Sequence, residues 1–292
     1  MSTISLKRNL SRSRLFKENF FRVLVSLSIF FALGFILFVV FILFLQSRGS
    51  LNLDLFRNFP SARPANAGIQ SAIFGSIWVV GIAALVAVPI GIVAAIFLEE
   101  FINPNNRIAK IIDLNVRNLA GVPAVVFGMV GLAFISRGSL GWGFTVGTAA
   151  LVLAMMILPV VIIVSRESIR AVPSSLRDGS LALGATQWQT VWRTVMPSAL
   201  PSIATGAILS VSRAMGESAP LLLLGALAFV TYNPESLDSD YTILPLIIFR
   251  YASDAKEEFH AIAAATSLVL MAILFLMNLT AILIRDRSQR KA

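Results

Sequence analysis

Apolar residues in this chain are gathered into six long segments separated by polar connections. A helix needs about 20 apolar residues to cross the hydrocarbon core of a membrane, and each segment approaches or exceeds that length. The segments are residues 22–46, 71–98, 118–136, 141–164, 201–230 and 261–284. The pattern therefore predicts an all-α, polytopic membrane protein with six transmembrane helices.

The third apolar segment is the shortest and contains several residues that disturb a regular helix. These are Gly121, Pro123, Gly128 and Gly131. Proline interrupts the backbone hydrogen bonds of a helix, and small residues let neighbouring helices approach closely. We expect this helix to be kinked and tightly packed.

A polar stretch, residues 165–200, interrupts the apolar pattern and predicts a short helical hairpin. Pro173 is preorganised for the first turn of a helix, and Gly184 is expected to end that helix. Thr186 and Gln189 then have the spacing of a capping box, in which each side chain bonds a free backbone N–H of a new helix. A second helix is therefore predicted to begin at once.

The second hairpin helix carries an apolar stripe that it cannot bury by itself. We expect Pro197 to close this helix. The stripe follows helical spacing and consists of Trp188, Val191, Trp192 and Val195. Because an isolated hairpin cannot hide two tryptophans, the stripe must pack on this chain or on a partner. We predict that the tryptophan stripe seats the hairpin on its own bundle and leaves the first hairpin helix exposed.

The composition excludes an ordinary soluble domain and several kinds of chemistry. Charged residues make up 13% of the chain, about half of the share in soluble domains. Cysteine is absent and histidine occurs once, so disulfides, thiol nucleophiles and Cys/His metal sites are excluded or nearly so. The sequence contains no G-x-x-x-x-G-K-[ST] loop. We therefore expect no cofactor and no catalysis in this chain, and ATP would have to be bound by partner subunits.

The basic residues are distributed unevenly between the two sides of the predicted bundle. A net charge of +9 would suggest nucleic acid in a soluble protein, but here we expect no nucleic-acid partner. Seventeen Lys and Arg lie on the side of the termini and six on the other, with Arg213 inside a membrane segment. The positive-inside rule then places both termini and the hairpin in the cytoplasm. Residues 1–21 would be a cytoplasmic segment, and residues 22–292 a single transmembrane domain.

The connection from Thr231 to His260 is expected on the outer side and is acidic. Six acids stand there against two basic residues. It could receive an extracytoplasmic partner, although a solvated acidic loop is the simpler interpretation.

Arg213 and Glu217 lie four residues apart on one face of the fifth apolar segment. A charge inside a membrane is costly, so it normally faces a bundle interior or an aqueous cavity. The two residues could simply neutralise each other. The hydroxyls of Ser210 and Ser218 lie nearby, and a guanidinium can donate two hydrogen bonds to one oxyanion. An anion pathway is therefore the functional hypothesis for these four residues.

Charged residues also mark the start of the hairpin. Arg166, Glu167 and Arg170 could form an inner gate, but anchoring at the membrane surface is the interpretation we favour. Asp178, on the first hairpin helix, is either solvated or directed towards a basic partner surface.

Two motifs resemble those of a known family. The run Asp178-Gly179-Ser180-Leu181-Ala182-Leu183-Gly184, followed by Met196-Pro197, is similar to the EAA loop of ABC-importer permeases. The run Arg213-Ala214-Met215-Gly216-Glu217-Ser218-Ala219-Pro220 resembles a signature of their phosphate-importing branch, in particular the PstA-type subunit. Similar stretches are Ala120-Gly121-Val122-Pro123 to Phe127-Gly128 and Glu257-Glu258-Phe259-His260. The likeness extends from about residue 70 to the C-terminus.

The resemblance implies a permease of the bacterial or archaeal cytoplasmic membrane, surrounded by lipid. Its partners would be a second, PstC-type permease, two cytoplasmic ATPase subunits and an extracytoplasmic phosphate-binding protein. Asp178, Gly179, Ser180 and Gly184 would couple to the ATPase, and Arg213 and Glu217 would line the phosphate pathway. The alternatives are a PstC-type half, a permease for sulfate or molybdate and, with less support, an ATP-independent anion channel.

Overall fold

The structure is a computed structural model that describes residues 12–103, 106–226 and 229–289. Within these ranges the chain is helical, and its one extended pairing is a single antiparallel bridge between Thr145 and Asp240. The predicted all-α class is confirmed. Residues 1–11 of the predicted segment 1–21 and residues 290–292 lie outside the described residues.

Twelve α-helices follow one another along the described chain. They are α1 (Arg12–Gln46), α2 (Leu53–Arg57), α3 (Gln70–Ile96), α4 (Arg107–Ala120), α5 (Ala124–Val130), α6 (Val146–Arg170), α7 (Ser174–Ala182), α8 (Gln187–Thr190), α9 (Met196–Met215), α10 (Ala219–Leu223), α11 (Leu244–Ala252) and α12 (Glu257–Gln289). A 3₁₀ turn covers Pro64–Asn66. π-helical turns extend α3 through Phe97–Phe101 and α5 through Gly131–Ser136, and the turn Val191–Val195 joins α8 to α9.

Five continuous helices in the described chain are long and apolar enough to cross a membrane. They are Lys17–Gln46, Gln70–Phe101, Val146–Arg170, Gln187–Met215 and Glu257–Arg287. A sixth crossing exists if α4 and α5, which meet at a bend of 101°, count as one broken span. The bend lies at Gly121–Pro123, where the sequence predicted a kink.

The fifth predicted segment, residues 201–230, is wrong in its extent. The helix begins at Gln187, passes Pro197 and Pro201, and ends at Met215. Pro197 does not close it because the preceding π-helical turn shifts the hydrogen-bond register, with the Met196 N–H bonding the Val191 carbonyl. Proline has no backbone N–H, but beside such a shift its missing donor breaks no hydrogen bond of a regular α-helix.

Helices α3, α6 and α9 form the centre of the bundle. Small residues bring α3 and α6 together, and Ala83 and Ala87 lie in the same buried cluster as Leu153 and Val161 of α6. Helix α9 packs between α6 and α12, and α1 lies on α12 at the edge of the bundle. This arrangement places the middle of α6 beside the end of α9.

The connection between α10 and α12 is partly folded onto the bundle. It contains α11, whose buried residues Leu244, Ile247 and Tyr251 pack with Leu55 and Ile69 from the start of the chain. The interpretation of this connection as a solvated acidic loop is therefore wrong in part, because α11 supplies apolar side chains to a second core.

Candidate functional site

A small cavity of about 60 Å³ lies between α4, α5, α6 and α9. Met156, Ile157 and Val160 face it from near the centre of the 25-residue helix α6. The other lining residues are Leu119, Ala120, Val122, Ala124, Phe127, Ser210, Arg213, Ala214 and Glu217. The cavity therefore lies near the middle of the bundle, at a depth where charged side chains are costly.

The first wall of the cavity is the break between α4 and α5. Helix α4 ends at Ala120 and α5 begins at Ala124, with Pro123 between them in an extended conformation. Irregular backbone at membrane depth is tolerated only where it is buried in protein or lines a cavity. Broken helices of this kind form the binding sites of many transporters.

The second wall is the break between α9 and α10. Helix α9 ends at Met215, and α10 begins three residues after Gly216. The two breaks come into contact where Gly128 of α5 meets Pro220 of α10. A Cβ atom on residue 128 would lie only 2.6 Å from the Pro220 carbonyl oxygen and 2.7 Å from the Pro220 Cα. Only glycine permits this approach of α5 to α10.

Arg213 and Glu217 face the cavity as a loose pair. Arg213 Nε lies 3.7 Å from Glu217 Oε1, which is longer than a hydrogen bond. The Arg213 side chain is 75% exposed in this chain, and that of Glu217 is 26% exposed. The Arg213 side chain donates no hydrogen bond to any other described residue, so its guanidinium donors can bind an anion.

The two predicted serines differ in position. Ser210 is buried in the cavity wall, but its hydroxyl donates to the Gly206 carbonyl at 2.8 Å. Ser218 begins the turn into α10 and does not belong to the lining. The structure therefore brings together Arg213, Glu217 and Ser210, and it places Ser218 beside them rather than among them.

The predicted hairpin is formed by α7 and α8. Gly184 ends α7 at a φ of 85°. The Gly184 N–H bonds the Leu181 carbonyl and the Ala185 N–H bonds the Ser180 carbonyl, the two bonds of a Schellman cap. The Thr186–Gln189 capping box is present, with both reciprocal bonds. Asp178, Gly179 and Gly184 are exposed, whereas Ser180 is half-buried and its hydroxyl lies 2.9 Å from that of Thr190.

An ion pair fixes this hairpin to the end of α3. Arg177 donates to Glu100 from both Nε (3.1 Å) and Nη2 (2.7 Å), and to the carbonyls of Ile169 and Val172. The Glu100 side chain is only 9% exposed. The Gln187 side-chain amide also donates to the Glu100 carbonyl. The hairpin is thus bound to both α3 and α6.

The predicted role of the tryptophan stripe is wrong in part. Val191 and Val195 are fully buried, in one cluster with Ala95 and Ile96 of α3 and Ile169 of α6. Trp188 and Trp192 are 59% and 46% exposed. The aliphatic half of the stripe therefore seats the hairpin, because only the valines face the groove between α3 and α6.

Arg166 and Arg170 belong to an interhelical ion network. Arg170 makes two hydrogen bonds of 2.9 Å to Glu99, and Arg166 bonds both Glu99 (3.3 Å) and Asp113. Glu167 is exposed, and its carboxylate makes no hydrogen bond among the described residues. The network joins the ends of α3 and α6 to α4.

The carboxylates of this network were missed in the sequence analysis. Glu99, Glu100 and Asp113 are 53 to 77 residues away from Arg166, Arg170 and Arg177, although Asp113 also pairs with Arg117 four residues on. The available signal was two consecutive acids at the end of an apolar segment, on the same predicted side as the arginines of the hairpin.

Residues 87–291 match the family model of the binding-protein-dependent transport system inner membrane component. That region contains both breaks, the cavity and the hairpin. The chain belongs to this family.

Relatives of this permease include ABC transporter and phosphate transport proteins. A probable ABC transporter permease of Bacillus subtilis, YqgI, is 38% identical over 66% of this chain, although the match spans only 65% of YqgI. The phosphate transport system permease protein PstA 1 of Mycobacterium tuberculosis is 32% identical over 77% of this chain and 72% of its own length. Other PstA proteins, at 27% identity, match most of the permease.

Solved structures share the fold at low sequence identity. A chain of a bacterial alginate ABC transporter has a TM-score of 0.67 at 16% identity, covering 92% of this chain and 94% of its own. A chain of the inward-facing MetNI methionine ABC transporter has a TM-score of 0.60 at 16% identity, over 78% of this chain and 99% of its own. These likenesses support the ABC-permease fold alone.

Membership of the family defines the general role of the chain. It is a multi-pass, inner-membrane permease subunit of an ABC importer. Its homologues are non-catalytic subunits, and the family implies a second permease, an ATPase and a substrate-binding protein as partners.

Proposed function

We propose that this permease imports inorganic phosphate and forms half of the translocation pathway. The observation that carries the proposal is the loose Arg213–Glu217 pair in a cavity between two broken helices. The phosphate named for the PstA relatives agrees with it, at 32% identity over 77% of the chain. The alginate and methionine transporters share only the fold.

The combination of a guanidinium and a carboxylate suits a protonated oxyanion. Hydrogen phosphate offers charged oxygens, which accept hydrogen bonds from Arg213, and an O–H group, which donates to Glu217. Sulfate carries no proton near neutral pH, so its negatively charged oxygens would repel the Glu217 carboxylate. Such an unfavourable contact is an effective way to reject a competing ligand.

The hairpin would transmit the state of the ATPase to this cavity. Asp178, Gly179, Ser180 and Gly184 lie on or at the end of α7, where a cytoplasmic ATPase would contact them. The Arg177–Glu100 pair links α7 to α3, and the Arg166–Asp113 pair links α6 to α4, whose end lines the cavity. In this mechanism Arg166 and Arg170 close the inner end of the bundle as a gate, and exposed Glu167 has no part in closing it.

The proposed assembly contains this permease, a PstC-type permease, two ATPase subunits and an extracytoplasmic phosphate-binding protein. Both termini would lie in the cytoplasm, as the distribution of basic residues predicts.

Uptake by the reconstituted assembly tests the substrate. We expect ATP-dependent accumulation of labelled phosphate that excess unlabelled phosphate abolishes and that equal excesses of sulfate or molybdate leave nearly unchanged. Inhibition by sulfate or molybdate equal to that by phosphate would assign the permease to another oxyanion. Phosphate flux through this chain alone, without ATP, would identify a channel.

The glycine that ends α7 provides a test of coupling. No atom lies within 4 Å of a Cβ at Gly184 or at Gly81 in α3, but only Gly184 has a positive φ. A Gly184→Val substitution would strain the turn by about 1–2 kcal/mol or more, and we expect lower phosphate uptake per ATP hydrolysed. Gly81→Val is the matched control and should transport normally, because Gly81 is exposed on α3 and lies outside the hairpin. Normal coupling in Gly184→Val would contradict the role of the turn.

A further inference from the structure

Three aromatic side chains gather at one end of two neighbouring, antiparallel spans. Phe101 is the last residue of the span Gln70–Phe101, and Trp188 and Trp192 lie at the start of the span Gln187–Met215. The ring centroids of Phe101 and Trp188 are 5.9 Å apart, and those of Trp188 and Trp192 are 5.5 Å apart in an edge-on arrangement. We call these three residues the aromatic cluster.

The aromatic cluster is exposed although the helix that carries it is firmly packed. Phe101, Trp188 and Trp192 are 38%, 59% and 46% exposed, whereas Val191 and Val195 of the same predicted stripe are fully buried. The cluster is thus not needed to seat the hairpin. Large rings grouped on a surface mark a contact with something outside the chain.

The cluster continues an apolar face that runs along α3. Exposed apolar residues recur there every four positions and end in the cluster. They are Leu85, Pro89, Val93, Phe97 and Phe101, with Leu85 75% and Phe97 56% exposed. On a span of this length, an exposed apolar stripe is the surface that faces lipid chains. The aromatic cluster therefore lies at the end of a lipid-facing stripe.

Polar groups begin within one turn of the rings. The Gln187 amide donates to the Glu100 carbonyl, the Glu100 carboxylate accepts from Arg177, and the Thr186–Gln189 capping box starts the helix. The change from apolar to polar surface occurs at the rings themselves. Tryptophan side chains concentrate at this level of a bilayer, because one part of the ring is apolar and the indole N–H is polar.

We propose that the aromatic cluster binds the headgroup layer of the bilayer and holds the hairpin at a fixed depth. The occupant of this surface is phospholipid, with the rings at the glycerol level and the α3 stripe among the acyl chains. The hairpin is then fixed on one side by the Arg177–Glu100 pair and on the other by lipid. The inference does not depend on which substrate the permease carries.

Tryptophan fluorescence in lipid vesicles tests this proposal. The full chain is reconstituted in phosphatidylcholine brominated either near the glycerol or near the end of the acyl chain. The fluorescence of the cluster is obtained by subtracting the fluorescence of the Trp188→Phe/Trp192→Phe variant from that of the natural chain. The subtraction removes the fluorescence of Trp78 and Trp142. If the double variant folds poorly, the single variants Trp188→Phe and Trp192→Phe give the fluorescence of each tryptophan separately. We expect quenching at least about twofold stronger from the shallow bromines than from the deep ones.

The assembled transporter supplies the second measurement. The same difference signal should stay quenched by shallow bromines after the second permease and the ATPase subunits are added. Loss of quenching on adding either partner would make the cluster a protein interface. Quenching mainly by deep bromines, or by neither lipid, would remove the cluster from the headgroup layer. Each of these three results overturns the proposal.

Discussion

Replacing Arg213 by glutamine is expected to reduce ATP-driven phosphate uptake by roughly 30-fold or more. The Arg213 guanidinium faces the cavity without donating a hydrogen bond to any described residue, and Arg213 Nε lies 3.7 Å from Glu217 Oε1. Each hydrogen bond to a charged group contributes about 1.5–3 kcal/mol, and about 1.4 kcal/mol corresponds to a tenfold change. Glutamine offers one neutral amide in place of a charged, two-pronged donor. Uptake of labelled phosphate by the reconstituted assembly measures the loss.

Two further variants separate an anion pathway from simple charge neutralisation. Arg213→Lys keeps the charge but loses the planar fork, so its uptake should lie between those of the natural chain and Arg213→Gln. Arg213→Gln/Glu217→Gln removes both charges, and transport should remain low if the arginine binds phosphate. Recovery of uptake in the double variant would show that the two residues only neutralise each other, and the pathway proposal would then fail.

Replacing Arg177 by alanine is expected to lower coupled phosphate uptake at least about tenfold. The side chain binds Glu100 twice, the carbonyl of Ile169 in the last turn of α6 and the carbonyl of Val172 just after it. Breaking a buried ion pair by removing one partner costs about 3–5 kcal/mol because the other charge stays uncompensated. The Glu100 side chain is 9% exposed, so most of this cost should apply. Phosphate accumulated per ATP hydrolysed is the measurement.

The controls for Arg177 are an exposed arginine near the hairpin and the carboxylate that Arg177 binds. Arg193→Ala removes an equal charge that is exposed and makes no ion pair among the described residues, and it should couple normally. Glu100→Gln keeps an acceptor for Arg177 and should cause a smaller loss. Full coupling in an assembled Arg177→Ala complex would mean that the hairpin does not act through α3.

The local features of this chain could be predicted because their causes lie within a few residues. Runs of apolar residues gave the helical class, and the Gly121–Pro123 break followed from residue types that disturb helices. The turn at Gly184 and the Thr186–Gln189 capping box satisfy backbone hydrogen-bonding groups at helix ends, and residues within a few positions specify both. Part of the candidate site, the Arg213–Glu217 pair, was visible because the two charges are close in the chain. Glu217 does not share a helix face with Arg213, however, because α9 ends at Met215.

Local rules failed where distant parts of the chain decide the outcome. Pro197 was expected to end a helix, but a π-helical turn beside it let the helix continue to Met215. Helical spacing grouped Trp188 with Val191, yet only the valine faces the groove between α3 and α6. The angle at which the hairpin docks determines which side chains are buried. That angle depends on α3 and α6, so it cannot be read from the spacing of residues within the hairpin.

Residues close together in the chain specify most of the apolar helices, the turn and cap of the hairpin, and the nearness of Arg213 to Glu217. The contact of the two helix breaks through Gly128 and Pro220, and the pairing of Arg177 with Glu100 across 77 residues, arise only from the packed fold. Hydrogen bonds and periodicity act between neighbours in the chain, whereas close approach and ion pairing depend on how whole helices pack. The cavity is a product of that packing.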